Sequence, residues 1–243
     1  MIIYGINPLL ESLHSSLKPR RVMIQKGKSN PRIQGIQKLA AQNTIPIDMV
    51  ANLEKLCGSS QHQGVAGDVS GLGETHLTDT TQLADQVVML DSIQDPHNFG
   101  ASMRVCDAFG FTDVIYHKGN SSGVTPAAVK VSTGAIFHLR LFESNLNKAV
   151  KWLTSRDYRL CVLEAEGNVT IYDADYTGRI CIVMGSEGFG VRHNILRQAN
   201  QVMSIPMRGH VSSLNVSCAL TAVLSEIARQ TSNTTVASQP RDV

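Results

Sequence analysis

The stretch L-D-S-I-Q-D-P-H-N-F-G-A-S-M-R, residues 90–104, takes an apolar run through a turn and into a helical pattern. A strand over 87–92 followed by a helix over 98–109 is how many nucleotide-binding folds begin. A dinucleotide site, or the site of an ordinary Rossmann-type methyltransferase, would place G-x-G-x-x-G after Ser92. The turn instead holds Asp95, Pro96, His97 and Asn98. No G-x-x-x-x-G-K-[ST] occurs anywhere, which excludes a P-loop nucleotidase. This turn presents side chains; it does not cradle a phosphate.

Outward from that point, strands over 113–117, 138–142, 159–164, 179–184 and 202–206 alternate with helices. The helices fall near 126–132, 145–156, 192–199 and 213–230. Such alternation predicts an α/β fold on a largely parallel sheet. Leu220, Val223, Leu224 and Ile227 recur at helical spacing as a packing stripe. Residues 71–85 gather Gly, Thr and Asp without apolar periodicity and read as a linker. Residues 1–70 form a smaller α/β unit. Its helix over 7–16 is expected to be capped by Asn7, with Pro8 at the first helical position. Then follow a strand over 21–25, a helix over 31–42, a strand over 45–50, a short helix over 51–56 and a strand over 64–69. The division is therefore 1–70, a linker at 71–85, a second domain at 86–231, and a polar tail at 232–243 expected to be disordered.

The net charge is only +2, but it is unevenly spread. Residues 1–70 carry eight Lys and Arg against four Asp and Glu, a net of +4, and the remainder carries −2. No acid lies between Ser12 and Ile47, where Arg20, Arg21, Lys26 and Lys28 crowd together. This strip is either a solvated face or a surface for RNA phosphates, which bind through counterion release. Five scattered cysteines never form C-x-x-C and read as reduced thiols. Neither they nor the histidines have metal-ligand spacing, so no metal is expected. No signal peptide or apolar span is evident, so a cytoplasmic protein without membrane attachment is expected.

Two further strand ends stand out. In V-M-G-S-E-G-F-G-V, residues 183–191, Gly185, Gly188 and Gly190 allow close backbone approach or positive φ. Glu187 among them repels phosphate, so the loop suits a neutral or cationic ligand. In S-I-P-M-R-G-H-V-S-S-L-N-V-S, residues 204–217, a strand ends and a loop leads into the last helix. Ser212 and Ser213 can act as N-caps. Asn215 is a poor helix former, as if its amide is wanted for a specific hydrogen bond.

The three motifs D-P-x-N-x-G-A-x-x-R, G-S-E-G-x-G and I-P-M with S-S-L-N-V-S follow one another across the second domain. In this the chain resembles the TrmH-type (SpoU) branch of the SPOUT methyltransferases, which methylate ribose 2′-hydroxyls of RNA. Residues 1–70, with I-Y-G-I-N-P-L-L-E and H-Q-G-V-A-G, resemble the ribosomal-protein-like RNA-binding domain of its ribosomal RNA members. The resemblance implies a parallel-sheet SPOUT domain with a C-terminal trefoil knot, a homodimer, and S-adenosylmethionine as cofactor. It implies cofactor contacts at Gly185, Ile205, Met207 and Leu214. Around the reacting ribose it implies Asn98, Arg104, Glu187, Ser213 and Asn215. The substrate it points to is a guanosine of 23S ribosomal RNA, in naked RNA or in a large-subunit precursor. A transfer RNA ribose methyltransferase and a non-catalytic RNA-binding ribosome assembly factor are the alternatives. Phe99 stands where leucine is commoner in the family.

Overall fold

The computed structural model describes residues 1–73, 75–117 and 119–232. The expected tail lies outside the described residues, except that Ser232 ends the last helix.

The first sheet comprises β1 (Ile2–Tyr4), β2 (Arg21–Gln25), β3 (Ile47–Val50) and β4 (Val65–Asp68), in the order β1-β4-β2-β3. It is accompanied by α1 (Ile6–His14), α2 (Pro31–Gln42) and α3 (Leu53–Cys57). The span of α2 matches expectation because its signals are local. Asn30 Oδ1 accepts from Ile33 N at 2.9 Å, Pro31 opens the helix, and Ile33, Ile36 and Ala40 form its buried stripe. The start of α1 differs from expectation. Its N-cap is Gly5 at φ 99°, and Asn7 makes no cap. The side chain that meets its first N–H is Gln63, whose Oε1 accepts from Ile6 N at 3.1 Å. A cap supplied from 57 residues away leaves no local signal.

The second sheet has seven strands, every pairing parallel: β5 (Gln86–Leu90), β6 (Asp113–His117), β7 (Arg140–Ser144), β8 (Arg159–Leu163), β9 (Val169–Thr170), β10 (Ile180–Met184) and β11 (Gln201–Ser204). Their order is β7-β6-β5-β10-β8-β11-β9. The helices are α4 (Pro96–Ala108), α5 (Pro126–Val131), α6 (Leu146–Thr154), α7 (His193–Leu196) and α8 (Val216–Ser232). Val88 and Leu90 of β5 join one apolar cluster, while Val87 and Met89 join another on the opposite face. Burial on both faces explains the unbroken apolar run of this strand. His138 belongs to a 3-10 turn before β7, not to the strand. The expected linker is fastened to the second sheet: Thr75 bridges to Phe142, and Trp152 Nε1 donates to Thr78 O at 3.0 Å.

The two sheets share a continuous apolar cluster that includes Ile3 and Leu9 on one side and Ile136 and Val129 on the other. At its edge, His138 Nε2 meets Glu11 Oε2 at 3.0 Å, and Lys130 Nζ donates to Gln63 Oε1 at 2.7 Å.

Candidate active site

All strands of the second sheet are parallel, so their carboxyl ends share one edge. β5 and β10 are neighbours, yet the chain runs outward from β5 through β6 and β7 before returning by way of β8. The strand order therefore reverses beside β5, which is where open α/β sheets bind ligands.

The residue after β5 is Asp91, whose side chain is fully buried. It accepts from Ser92 Oγ at 2.8 Å, from Arg192 N at 3.0 Å and from Arg192 Nε at 2.9 Å. A buried carboxylate needs such partners. The pair clamps the segment after β10 onto the end of β5. Arg192 Nη1 also donates to His117 Nε2 at 3.1 Å. Burial, then the Arg192 guanidinium, push the His117 imidazole below its ordinary pKa, leaving a neutral ring suited to accept that bond. This use of Arg192 shortens α7, which begins only at His193.

Between β10 and Arg192 the chain forms a tight hairpin. Ser186 N donates to Gly190 O at 3.2 Å, and Gly190 N donates to Ser186 O at 3.0 Å. A Cβ on Gly185 would fall 2.1 Å from the Gly190 carbonyl carbon. The space left by the missing side chain is thus filled by the hairpin's own backbone. Gly190, at φ 64°, backs onto Glu164, whose Oε1 accepts from Val191 N at 2.6 Å. The hairpin tip presents Glu187 and Phe189, and Phe189 is 93% exposed.

Helix α4 starts from Asp95, which accepts from His97 N at 3.0 Å, and its buried stripe is Phe99, Met103 and Cys106. Asn98, in its first turn, meets Glu187 and Asn215. Glu187 Oε1 accepts from Asn98 Nδ2 at 3.0 Å and from Asn215 Nδ2 at 2.9 Å. Asn215 Nδ2 also donates to Asn98 Oδ1 at 2.7 Å. Asn215 Oδ1 accepts from Ser217 N at 2.9 Å, so Asn215 caps α8. Ser212 and Ser213 therefore do not cap it; they precede the helix and line a cleft. Three residues distant in sequence form one hydrogen-bonded group.

Two clefts meet at the hairpin. One, of about 420 Å³, is lined by Gly185, Ile205, Met207, Leu214, Ser213 and Glu187, among others. The four residues expected to touch the cofactor thus lie together. The other, of about 550 Å³, is lined by Ser92, Gln94, Asp95, Asn98, Asn120 and Arg192, among others. Ser186, Glu187, Phe189, Gly190 and Val216 border both. Arg104 lies outside both linings, exposed on α4 and about 9 Å along the helix axis from Asn98. Among the described residues it has no ion-pair partner, so a bond to Asp107 is not formed.

The basic strip is divided. Arg20 and Arg21 stand at the start of β2, while Lys26 and Lys28 follow its end, about 17 Å away. Arg21 also faces Asp48 at 3.7 Å and Asp68 at 3.8 Å. Sequence reasoning passed over Asp91, Arg192, Gln94 and Asn120. Only Asp91 left a signal, a charge directly after V-V-M-L. Among the described residues no group of three or more His, Cys, Asp or Glu is arranged to hold a metal. No helix there is long and apolar enough to cross a membrane.

Known proteins resemble this chain across both sheets. Residues 85–225 match the SpoU rRNA Methylase family, and residues 2–74 match the RNA 2′-O ribose methyltransferase substrate binding family. The chain is 34% identical over 237 residues to the 23S rRNA (guanosine-2′-O-)-methyltransferase RlmB of Pseudomonas putida, covering 94% of this chain and 96% of that protein. It is 35% identical to RlmB of Haemophilus influenzae, covering 94% and 97%. Among solved structures, the SpoU methyltransferase AviRb from Streptomyces viridochromogenes superposes with a TM-score of 0.83 at 22% identity, covering 98% of this chain and 91% of that one. An AdoMet-bound rRNA methyltransferase from Sinorhizobium meliloti gives 0.75 at 22% identity, covering 95% and 87%. Matched in family over both sheets and similar to RlmB over nearly its whole length, the chain belongs to the SpoU rRNA methylase family.

Proposed function

We propose that this protein transfers a methyl group from S-adenosylmethionine to the ribose 2′-hydroxyl of a guanosine in 23S ribosomal RNA, free or within a large-subunit precursor. The observation that carries the reading is the placement of Glu187. Its carboxylate stands in the partition between two clefts and accepts from both Asn98 and Asn215.

The cleft of about 420 Å³ fits the cofactor chemically. It offers apolar side chains at Ile205, Met207 and Leu214, backbone along Gly185–Gly190, and the carboxylates of Glu164 and Glu187, the first already bonded to Val191 N. When bound, S-adenosylmethionine supplies an electrophilic methyl group on a cationic sulfonium. Glu187 favours that positive charge through simple Coulomb attraction. Its Oε1 is occupied by the two amides, which leaves Oε2 to accept from the ribose hydroxyl and orient it. Asn98 and Asn215 hold the carboxylate in place, and Ser213 borders the same cleft. Arg104, cationic and without an ion-pair partner among the described residues, stabilises developing oxyanion character and grips the adjoining phosphate.

The same reading divides the chain into an RNA-gripping domain at 1–70, a connector at 71–85 and a methyltransferase domain at 86–231. It includes a trefoil knot in the C-terminal part, a homodimer and a cytoplasmic location. The test is methylation of total RNA from a strain lacking this gene, followed by mapping of 2′-O-methyl groups. One modified guanosine in 23S RNA is expected. Modification confined to transfer RNA, or none at all, overturns the proposal.

A further inference from the structure

Resting on that reading, the second cleft is left without an occupant. We infer that it receives the guanine of the acceptor nucleotide, stacked on Phe189 and read through Gln94 and Asn120.

The argument begins with Phe189. A phenylalanine 93% exposed at a hairpin tip buries almost nothing within the chain. The hairpin that carries it is closed by the Ser186–Gly190 pair and backed by the Asp91–Arg192 clamp. An aromatic face held in water is the platform on which splayed RNA bases stack. The cleft it borders also touches Asn98 and Glu187, so a base lying there keeps its own ribose at the proposed reaction point.

The polar lining then selects the base. Gln94 Nε2 donates to Asn120 Oδ1 at 3.2 Å, and Asn120 Nδ2 donates to Ser92 Oγ at 3.0 Å. One N–H of each amide is thus spent within the protein, and one on each remains free. The lining therefore keeps acceptors at Gln94 Oε1, the second lone pair of Asn120 Oδ1 and the Asp95 oxygen not bonded to His97, together with one donor on each amide. Among the RNA bases, guanine carries adjacent N1–H and N2–H donors on its Watson–Crick edge. Adenine and cytosine offer one exocyclic amine beside an acceptor, and uracil offers a single N–H. The Asp95 carboxylate, which only accepts, matches the two adjacent donors that guanine alone presents, and the free amide N–H groups match its O6.

The test uses the full-length protein and a transcript containing the mapped guanosine, with that position as guanosine, inosine (which lacks the 2-amino group) or 2-aminopurine. In the parent, inosine should lower the single-turnover rate about tenfold, the worth of one lost hydrogen bond. Gln94→Ala should be slower on guanosine, and inosine should then cost it little more. 2-Aminopurine fluorescence should be quenched on binding to the parent and to Phe189→Tyr, but not to Phe189→Ala. Thermal melting and calorimetric S-adenosylmethionine binding by Gln94→Ala and Asn120→Ala should match the parent and report intact folding. Equal inosine penalties in the parent and in both amide variants, or quenching that survives Phe189→Ala, overturn the assignment. Absence of methylation by the parent would instead defeat the proposed function itself.

Discussion

A guanidinium stays protonated throughout the working pH range, so Arg104 cannot act as a proton acceptor. Its exposed place outside the two clefts agrees with a phosphate-gripping role. Arg104→Lys keeps the charge and loses the planar fork, so methyl transfer should fall substantially; Arg104→Ala should lose nearly all of it. S-adenosylmethionine affinity should stay near parental in both. A kinetic pKa that moves with the residue at 104 in single-turnover pH profiles would favour a base role and defeat this one. Glu187 gives a separate test through charge. Glu187→Gln keeps the shape and one acceptor oxygen but removes the anion. The parent should bind the cationic sulfonium more tightly than neutral S-adenosylhomocysteine, and the variant should lose that preference in calorimetry. Methyl transfer should drop by about 10²-fold or more. An unchanged ligand preference would mean that the carboxylate does not face the sulfonium. At this scale the sequence was legible where a residue broke a local rule. Asn215 at a helix start and Glu187 among glycines both did so. Arg192 broke none, because its partner Asp91 lies 101 residues away.

The hairpin from Gly185 to Gly190 shows what one element asks of its glycines. Gly185 lacks a side chain because the Gly190–Val191 backbone occupies the Cβ direction, so a substitution there injures the hairpin before it meets any ligand. Gly185→Ala should lower the melting temperature by roughly 3–10 °C and weaken S-adenosylmethionine binding in parallel. Gly188, with open space around its Cβ direction, should cost less on replacement, although its φ of 87° adds strain. Equal losses at the two positions, measured by melting and calorimetry, would contradict the packing account. Elements with local signals were the readable ones. Asn30 and Pro31 fixed the start of α2, and turn chemistry together with burial on both faces fixed β5 and β6. The two-residue β9 and the three-residue β1 have too few positions to show alternation. The expected helix over 192–199 shortened to α7 at both ends: Arg192 was diverted to Asp91, and beyond Leu196 the chain tightens into i→i+3 bonds from Gln198 N to Ile195 O and from Ala199 N to Leu196 O. The strand order was also hidden, since it depends on pairings between segments with no shared local pattern.

Across the whole molecule, charge and domain packing set how RNA can approach. The smaller sheet is held to the larger by a shared apolar cluster and by the Glu11–His138 and Gln63–Lys130 contacts, so its basic residues have fixed positions relative to the clefts. The charge asymmetry was plain in the sequence, but its division along β2 was not, because neighbours in a list become ends of a strand. Lys26 and Lys28 are exposed and have no acidic partner among the described residues. Arg21 already faces two carboxylates. The two halves of the strip should therefore act differently. Lys26→Ala with Lys28→Ala should weaken RNA binding and reduce the slope of log affinity against log salt by about two. Arg20→Ala with Arg21→Ala should change that slope less, because part of its charge is already neutralised. Its stability should shift by no more than about 1 kcal/mol, as expected for exposed ion pairs. Calorimetry should find S-adenosylmethionine binding unchanged in both double variants, since neither pair lines the cleft proposed for the cofactor. Salt titrations decide the matter. Equal slope changes would mean that the four residues meet RNA as one surface despite their separation, and no change in either would mean that this face is merely solvated.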